Sequence, residues 1–440
     1  MAVAPEVPQW VYVDTVGKSV IEACDGNSTV QEIVSAVCTR FAADPAQSTE
    51  HILSFLGELT TKGFLSTDAP RTGAGDISTE RPPVDHLNQL WLHLTHSCNL
   101  RCIHCFREAG PITDELTPGE WKKALDGYSR LKGKGVIISG GEPLLRHDVL
   151  EILGMCEELN LQAGIITNGT LLTRELCKEL SRMRKVSVQI SLDGATRATV
   201  DKIRGSGVFD SVIRNYRELR SSGFNGPVSF SMTIMKPTLH EIEAFAELAA
   251  AEHANAVHFP FFTASGRGNK NRESLDLSET EKQEATCRLD RVMARANSLG
   301  VRFSRDCTAL QALSTRRHDY CAAGVYGWSI EPNGNVTPCA GLTDHQYIAG
   351  NIRSRAFEEI VGDSPIARQF RSYRMQNSEC STCEVRFLCA GGCHINKHLA
   401  GIAVTDKDPN CSWYRSWSWL QIIQCARSTA QASASACLTS

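Results

Sequence analysis

Between residues 87 and 262 the chain alternates short apolar, β-branched runs with stretches whose apolar residues recur at helical spacing, and this restricts the fold more than any other feature. Six runs read as strands: LWLHLTH, VIISGG, AGIITN, VSVQIS, VSFSMTIM and AVHFPFF. The helices between them are well delimited. The first opens with TPGE at Thr117 to Glu120, which supplies a cap, a first-turn proline and a capping-box glutamate. Strands that each return through a helix run parallel, so an α/β sheet is expected, either open and doubly wound or rolled into a partial barrel. Both arrangements put their sites in loops at the C-terminal strand ends, so the residues there decide between them.

The flanks differ. Residues 7 to 68 hold a strand-like VPQWVYVD, a turn at Asp25-Gly26, a helix carrying Val30, Ile33, Val34 and Val37, and a second with Ile52, Leu53, Leu56 and Leu59 that ends at Gly63. The stretch APRTGAGDISTERPP reads as a linker. Residues 278 to 299 form one more helix, and beyond 304 the chain turns irregular and cysteine-rich, the pattern of a region organised by metal rather than by a large apolar core. The expected units are 1–72, a linker at 73–86, the alternating region at 87–303, a cysteine-rich unit at 304–425 and a disordered tail at 426–440.

A net charge of −3 gives no basic surface for nucleic acid. No apolar run reaches the length of a membrane span and MAVAPEVPQW lacks the regions of a signal peptide, so a cytoplasmic protein without nucleic-acid or membrane partners is expected. Eighteen cysteines are then the anomaly, because disulfides would be kept reduced there and metal binding becomes the default reading. Cys24, Cys156 and Cys177 lie in amphipathic patterns and read as small core residues. The others cluster, beginning with CNLRCIHC, where Cys98, Cys102 and Cys105 follow directly on the first strand. Three thiolates can hold a four-iron cluster while leaving one iron open, and an open metal position is what catalysis needs. A zinc site of three cysteines and a histidine is the alternative.

The CxxxCxxC spacing resembles the radical S-adenosylmethionine (SAM) superfamily, and the later strand ends extend the likeness. In that family SAM chelates the open iron through its amino and carboxylate groups, and reductive cleavage yields a 5′-deoxyadenosyl radical that abstracts hydrogen. His104 stands where the family usually has an aromatic residue beside the adenine. The second strand ends in Gly140, Gly141, Glu142 and Pro143, similar to the GGEP motif that contacts the SAM amino group; its glycines are read as letting the backbone approach a ligand. Thr167 and Asn168 end the third strand, and Gln189, Ser191 and Asp193 the fourth, with Arg204 following in IRG. By the resemblance Ser191 and Arg204 approach the SAM carboxylate, which suits a guanidinium fork. It also implies the fold: a partial (β/α)6 TIM-type barrel rather than an open sheet.

The second cysteine group comprises Cys321, Cys339, Cys380, Cys383, Cys389, Cys393 and Cys411. Its spacing resembles the SPASM extension, an iron-sulfur domain with two auxiliary [4Fe-4S] clusters; paired structural zinc ribbons are the alternative. The family's interleaving assigns Cys321, Cys339 and Cys393 to one cluster and Cys380, Cys383, Cys389 and Cys411 to the other. The first is one ligand short: either Cys307 reaches in, which is the preferred reading, or an iron stays open for substrate. Tyr326, Trp328 and Tyr347 are expected to be packing residues near these clusters.

The N-terminal WVYVD, CDGNSTVQEIV and LTTKGFL resemble the PqqD-like peptide-recognition domain, a small winged-helix-like module that adds a leader peptide as a strand to its sheet edge. A three-helix bundle or a DNA-binding winged helix is the alternative, and the absence of a basic stripe argues against DNA. Together the resemblances imply a maturase of a ribosomally made precursor peptide, forming a thioether or carbon-carbon crosslink and drawing electrons from a flavodoxin or ferredoxin. Relatives that make formylglycine carry an aspartate base after the cysteine matching Cys339, and here that residue is Ala340. Two other readings stand beside it: the same chemistry on a small molecule such as a haem-type tetrapyrrole, and an iron-sulfur scaffold or redox sensor without turnover.

Overall fold

In the computed structural model the described residues are 2–4, 9–11, 13–62, 64–65, 86–107, 110, 114–304, 321–420 and 422. The expected linker, apart from His86, the expected tail, and Cys307 lie outside them. The strands are β1 (Ala2–Ala4), β2 (Gln9–Val11), β3 (Gln89–Thr95), β4 (Gly135–Gly140), β5 (Gln162–Thr167), β6 (Val186–Ser191), β7 (Val228–Ser231), β8 (Ala256–His258), β9 (Arg302–Ser304), β10 (Gly327–Ile330), β11 (Asn335–Thr337) and β12 (Gly350–Asn351). β1 and β2 form an antiparallel ribbon, and the other ten form one sheet in the order β12-β11-β10-β3-β4-β5-β6-β7-β8-β9. From β10 to β9 every neighbouring pair in that order is parallel.

The six expected strands are β3 to β8, and the helices between them start where the sequence says. Pro118–Arg130 has Thr117 and Glu120 in a reciprocal capping box, and Arg174–Ser181 is capped by Thr173. Period-two patterning then sorts the faces. On β6, Val186, Val188 and Ile190 are buried among the helices, while Ser187, Gln189 and Ser191 stay partly exposed on the concave side. The shared core is anchored by fully buried Trp121, Tyr128, Tyr216, Phe230, Phe245 and Phe259. Each contributes roughly 1.5–3 kcal/mol through burial.

Five strands were not legible, β1 and β9 to β12. β9 adds parallel to β8, and β10 adds parallel to β3, pairing Gly327 with Gln89 and Ile330 with Leu92. The cysteine-rich segment therefore begins by extending the barrel sheet, and β11 and β12 continue it as antiparallel strands. In the rest of this segment Phe357, Ile360, Val361, Ala367, Trp413 and Trp417 join the barrel core, and the other buried apolar residues form three small clusters, around Leu342 and Phe370, around Tyr373 and Met375, and around Val385 and Leu388. The core next to the cysteines themselves is therefore small.

The N-terminal unit is the β1-β2 ribbon with three helices, Thr15–Ala23, Val30–Phe41 and Pro45–Thr61. The first of these was missed, because Thr15, Val16, Gly17, Val20 and Ile21 are weak helix formers; Asp14 starts it by accepting from the Gly17 N–H. Val20, Ile33, Val34, Val37, Cys38 and Ile52 form a core separate from that of the barrel.

Candidate metal centres at the barrel mouth

The loop carrying Cys98, Cys102 and Cys105 leaves the C-terminal end of β3 and is pinned along its length. Ile103 N–H donates to the Ile203 carbonyl (3.0 Å), Gly268 N–H to the Cys105 carbonyl (3.0 Å), and the Arg267 guanidinium to the Cys102 carbonyl (2.9 Å). On the other side Gly141 N–H donates to the Thr95 carbonyl (2.7 Å) and Glu142 N–H to the Ser97 carbonyl (2.8 Å). This closeness explains the glycines differently from the sequence reading. A Cβ on Gly140 would lie 2.3 Å from the Thr95 oxygen, and one on Gly141 2.1 Å from that of Ser97. What approaches these glycines is the start of the cysteine loop.

Glu142 is fully buried and its carboxylate is occupied by protein donors: the Thr167 hydroxyl (2.7 Å), Asn168 N–H (2.7 Å) and Leu144 N–H (3.1 Å). Burial pushes its pKa up against these hydrogen bonds. It ties the ends of β4 and β5 together. The Asn168 amide donates to Asn99 Oδ1 (2.9 Å) and stands 4.0 Å from the Cys98 sulfur.

Asp193 follows β6 in a left-handed conformation (φ 59°) and is buried. It accepts from Thr233 N–H (2.6 Å), pairs with His104 Nε2 (2.8 Å) and forms a buried ion pair with Arg204. Burial opposes its ionisation, but the charges of Arg204 and His104 prevail and hold it far below the usual carboxylate range. Arg204 also points Nη1 at the Cys102 sulfur (3.9 Å), while its Nε and His104 Nδ1 are buried without a partner. Burial raises the pKa of the Cys98 and Cys102 thiols. Among the described residues no three His, Cys, Asp or Glu side chains converge tightly enough for a single metal ion. With His104 committed to Asp193, a zinc site of three cysteines and a histidine is disfavoured, whereas a cubane needs its thiolates farther apart. Three thiols with orphaned donors beside them fit an iron-sulfur cluster and an anionic ligand.

A second group at the mouth has no motif. Arg107 donates from Nη1 to Glu331 Oε2 (2.7 Å) and from Nη2 to Glu331 Oε1 (3.1 Å) and to the Ala340 carbonyl (2.7 Å). The same carboxylate lies 2.7 Å from His93 Nδ1 and 2.9 Å from His96 Nε2. Burial, then the Arg107 charge, lowers the His93 pKa to about 4, so it is neutral at pH 7. Burial opposes charge on Glu331, but its bonds to His93, His96 and Arg107 outweigh it and hold the group well below the carboxylate range. Glu331 thus joins both flanks of the first cysteine loop to the residue after Cys339. Nothing in the sequence marked it except its place just before a PNG turn.

Of the second cysteine group, Cys380, Cys383, Cys389 and Cys411 line one cavity. Burial raises all four thiols, Cys389 to about 12. Cys321 and Cys339 pack together with Leu342 and Phe370. Cys393 N–H donates to Asp408 Oδ2 (2.7 Å), which fixes the start of the helix His394–Leu399. Trp328 is buried on β10, Tyr326 meets the His86 ring at 5.3 Å, and Tyr347 packs edge-on against Phe370.

Comparison with known proteins gives three family matches along the chain. Residues 92–249 match the radical SAM superfamily, residues 1–65 match coenzyme PQQ synthesis protein D (PqqD), and residues 321–384 match the SPASM iron-sulfur cluster-binding domain. The mycofactocin maturase MftC of Mycobacterium tuberculosis (strain ATCC 25618 / H37Rv) is 30% identical over 322 residues, covering 72% of this chain and 81% of its own. The AdoMet-dependent heme synthase of Methanosarcina barkeri (strain Fusaro / DSM 804) is 31% identical over 339 residues, covering 72% and 94%. Among solved structures, Streptococcus suis SuiB bound to precursor peptide SuiA superposes with a TM-score of 0.61 at 16% identity, covering 93% of this chain and 95% of that one. Native anSMEcpe with bound AdoMet gives 0.62 at 20%, covering 78% and 100%. With the cysteine loop and strand-end residues placed as described, and relatives at this identity over most of their length, the chain belongs to the radical SAM superfamily of enzymes, with SAM and [4Fe-4S] clusters as cofactors.

Proposed function

We propose that the enzyme is a maturase of a ribosomally synthesised precursor peptide, installing a thioether or carbon-carbon crosslink. The observation that carries this reading is the N-terminal unit matched by the PqqD model, with its own core and a two-stranded ribbon, in the same chain as the barrel. A ribbon of that kind suits recognition of a leader by strand addition, in which backbone hydrogen bonds supply the affinity. When bound, the cluster and SAM supply a 5′-deoxyadenosyl radical. The protein's own part is to hold and orient. Cys98, Cys102 and Cys105 would carry the cluster; Arg204, paired with buried Asp193, would offer its guanidinium to the SAM carboxylate, and Gln189 and Ser191, which share one face of β6, would line the site. The two cysteine sets beyond residue 320 would hold auxiliary clusters, which would supply an acceptor for the electron left after bond formation, and a flavodoxin or ferredoxin would supply the first electron.

The test is anaerobic incubation of the reconstituted enzyme with a candidate precursor peptide, SAM and reductant, followed by mass spectrometry. A product two hydrogens lighter is expected. A chain starting at residue 86 should cleave SAM yet no longer bind or convert the peptide; equal conversion by that truncation would overturn leader recognition. The likeness to a haem synthase favours one second reading, action on a tetrapyrrole side chain, which predicts turnover without any peptide. Membership in an enzyme superfamily leaves the scaffold reading without support.

A further inference from the structure

His394 is 8% exposed, and neither of its ring nitrogens has a hydrogen-bond partner. A buried imidazole normally satisfies at least one nitrogen, so an orphan of this kind points to something the side chain is built to hold. Its neighbours say what. It directly follows Cys393, whose backbone is extended where it caps the helix, while His394 is the first helical residue; the two side chains therefore leave the chain in different directions. The His394 ring lies 5.4 Å from the ring of Phe370 and 5.5 Å from that of Tyr373. Phe370 belongs, with Ala323 and Leu342, to the small buried cluster against which Cys321 and Cys339 pack. Two cysteines of the set that is one ligand short thus share a packing cluster with a ring neighbour of the imidazole, and the third adjoins it in the chain.

We propose that His394 is the fourth protein ligand of the auxiliary cluster held by Cys321, Cys339 and Cys393. The inference rests on the reading that those three cysteines hold a cluster. Neutral imidazole is a good iron ligand, and histidine replaces cysteine in other iron-sulfur centres, where it raises the reduction potential by removing thiolate charge. A cubane is wide enough for adjacent residues with diverging side chains to bind different irons. The ligand set is then complete without Cys307, and the cluster is a dedicated electron acceptor with no iron open to substrate. A cavity lined by Tyr347, Phe370, Tyr373 and His394 adjoins the site, so the competing role for His394 is contact with a ligand in that cavity.

The test is pulsed EPR on the full-length chain carrying C98A/C102A/C105A, which removes the SAM-binding cluster, after anaerobic reconstitution and reduction. Nitrogen hyperfine coupling to one reduced auxiliary cluster is expected, changing when the protein is labelled with 15N-histidine. H394C should keep the full iron content, lose the nitrogen coupling and lower the midpoint potential of that cluster, and H394A should lose the coupling as well. C307S should change none of these. Both auxiliary clusters present with no nitrogen coupling, or coupling that persists in H394C, overturns the proposal while leaving the underlying reading intact. Iron content showing no auxiliary cluster at all overturns the reading itself.

Discussion

At the scale of single residues the site is governed by two buried carboxylates that sequence motifs treat very unequally. Asp193 was legible, because it belongs to a strand-end motif. Its partner choice was not: it pairs with both His104 and Arg204. Asn keeps the left-handed backbone but removes the charge. D193N is therefore expected to weaken SAM binding about ten-fold, equivalent to ~1.4 kcal/mol, measured by equilibrium dialysis on reconstituted enzyme. Unchanged affinity would show that Arg204 needs no anchoring. Glu331 was invisible, since its partners His93 and Arg107 lie 238 and 224 residues away in sequence and only the β3-β10 pairing brings them together. Here the pH dependence has a definite sign. His93 is lowered to about 4 from 6.5, so between those values the unfolded chain binds a proton that the folded chain does not. The stability this group confers is full above pH 6.5 and falls as pH drops toward 4; that of Glu331, whose pKa is also depressed, is lost further into acid. Thermal unfolding of holoenzyme should show stability level above about pH 6.5 and a decline from there toward about pH 4.5 that is flattened in H93Q.

Among secondary-structure elements, the alternating pattern was readable because the β3 to β8 runs set buried residues against amphipathic helices, a signal contained in a few consecutive residues. Elements that rely on distant partners were not. β10 is four residues, GWSI, and becomes a strand because β3 offers it an edge. The glycines at the end of β4 have a role that the motif alone does not disclose: they accommodate the carbonyls of Thr95 and Ser97. G141A is thus expected to push the cysteine loop away and cut iron per chain at the first cluster by at least half, measured by iron analysis in a chain whose other cysteine set is replaced. G154A is the control. It lies within the helix Val149–Glu158 with no atom within 4 Å of an added Cβ, and should raise stability by about 0.5–1 kcal/mol without changing iron content.

For the molecule as a whole, burial is uneven: one large core under the barrel sheet, one small core in the N-terminal unit, and scattered clusters around the second cysteine set. Metal binding must then supply what apolar burial does not. Chelation of iron under reducing conditions should make residues 340 to 411 sensitive to protease well before the barrel, with fragments read by mass spectrometry. Equal resistance of both regions would show that the C-terminal segment folds without its clusters. The cysteine spacings made the chemistry of this region legible, because ligand type and reach constrain short stretches. The interleaving with the barrel was not, because no local pattern records which sheet a strand will join.

That shared edge bears on how such enzymes can be recombined. With β10 bonded along β3, a chimera cut between residues 304 and 327 would transplant a strand without the neighbour whose backbone it completes, and the severed Glu331 would face a foreign loop. A junction that moves β3 through β12 as one block keeps the seam whole, whereas the N-terminal unit, with a core of its own, is the piece that can be traded freely.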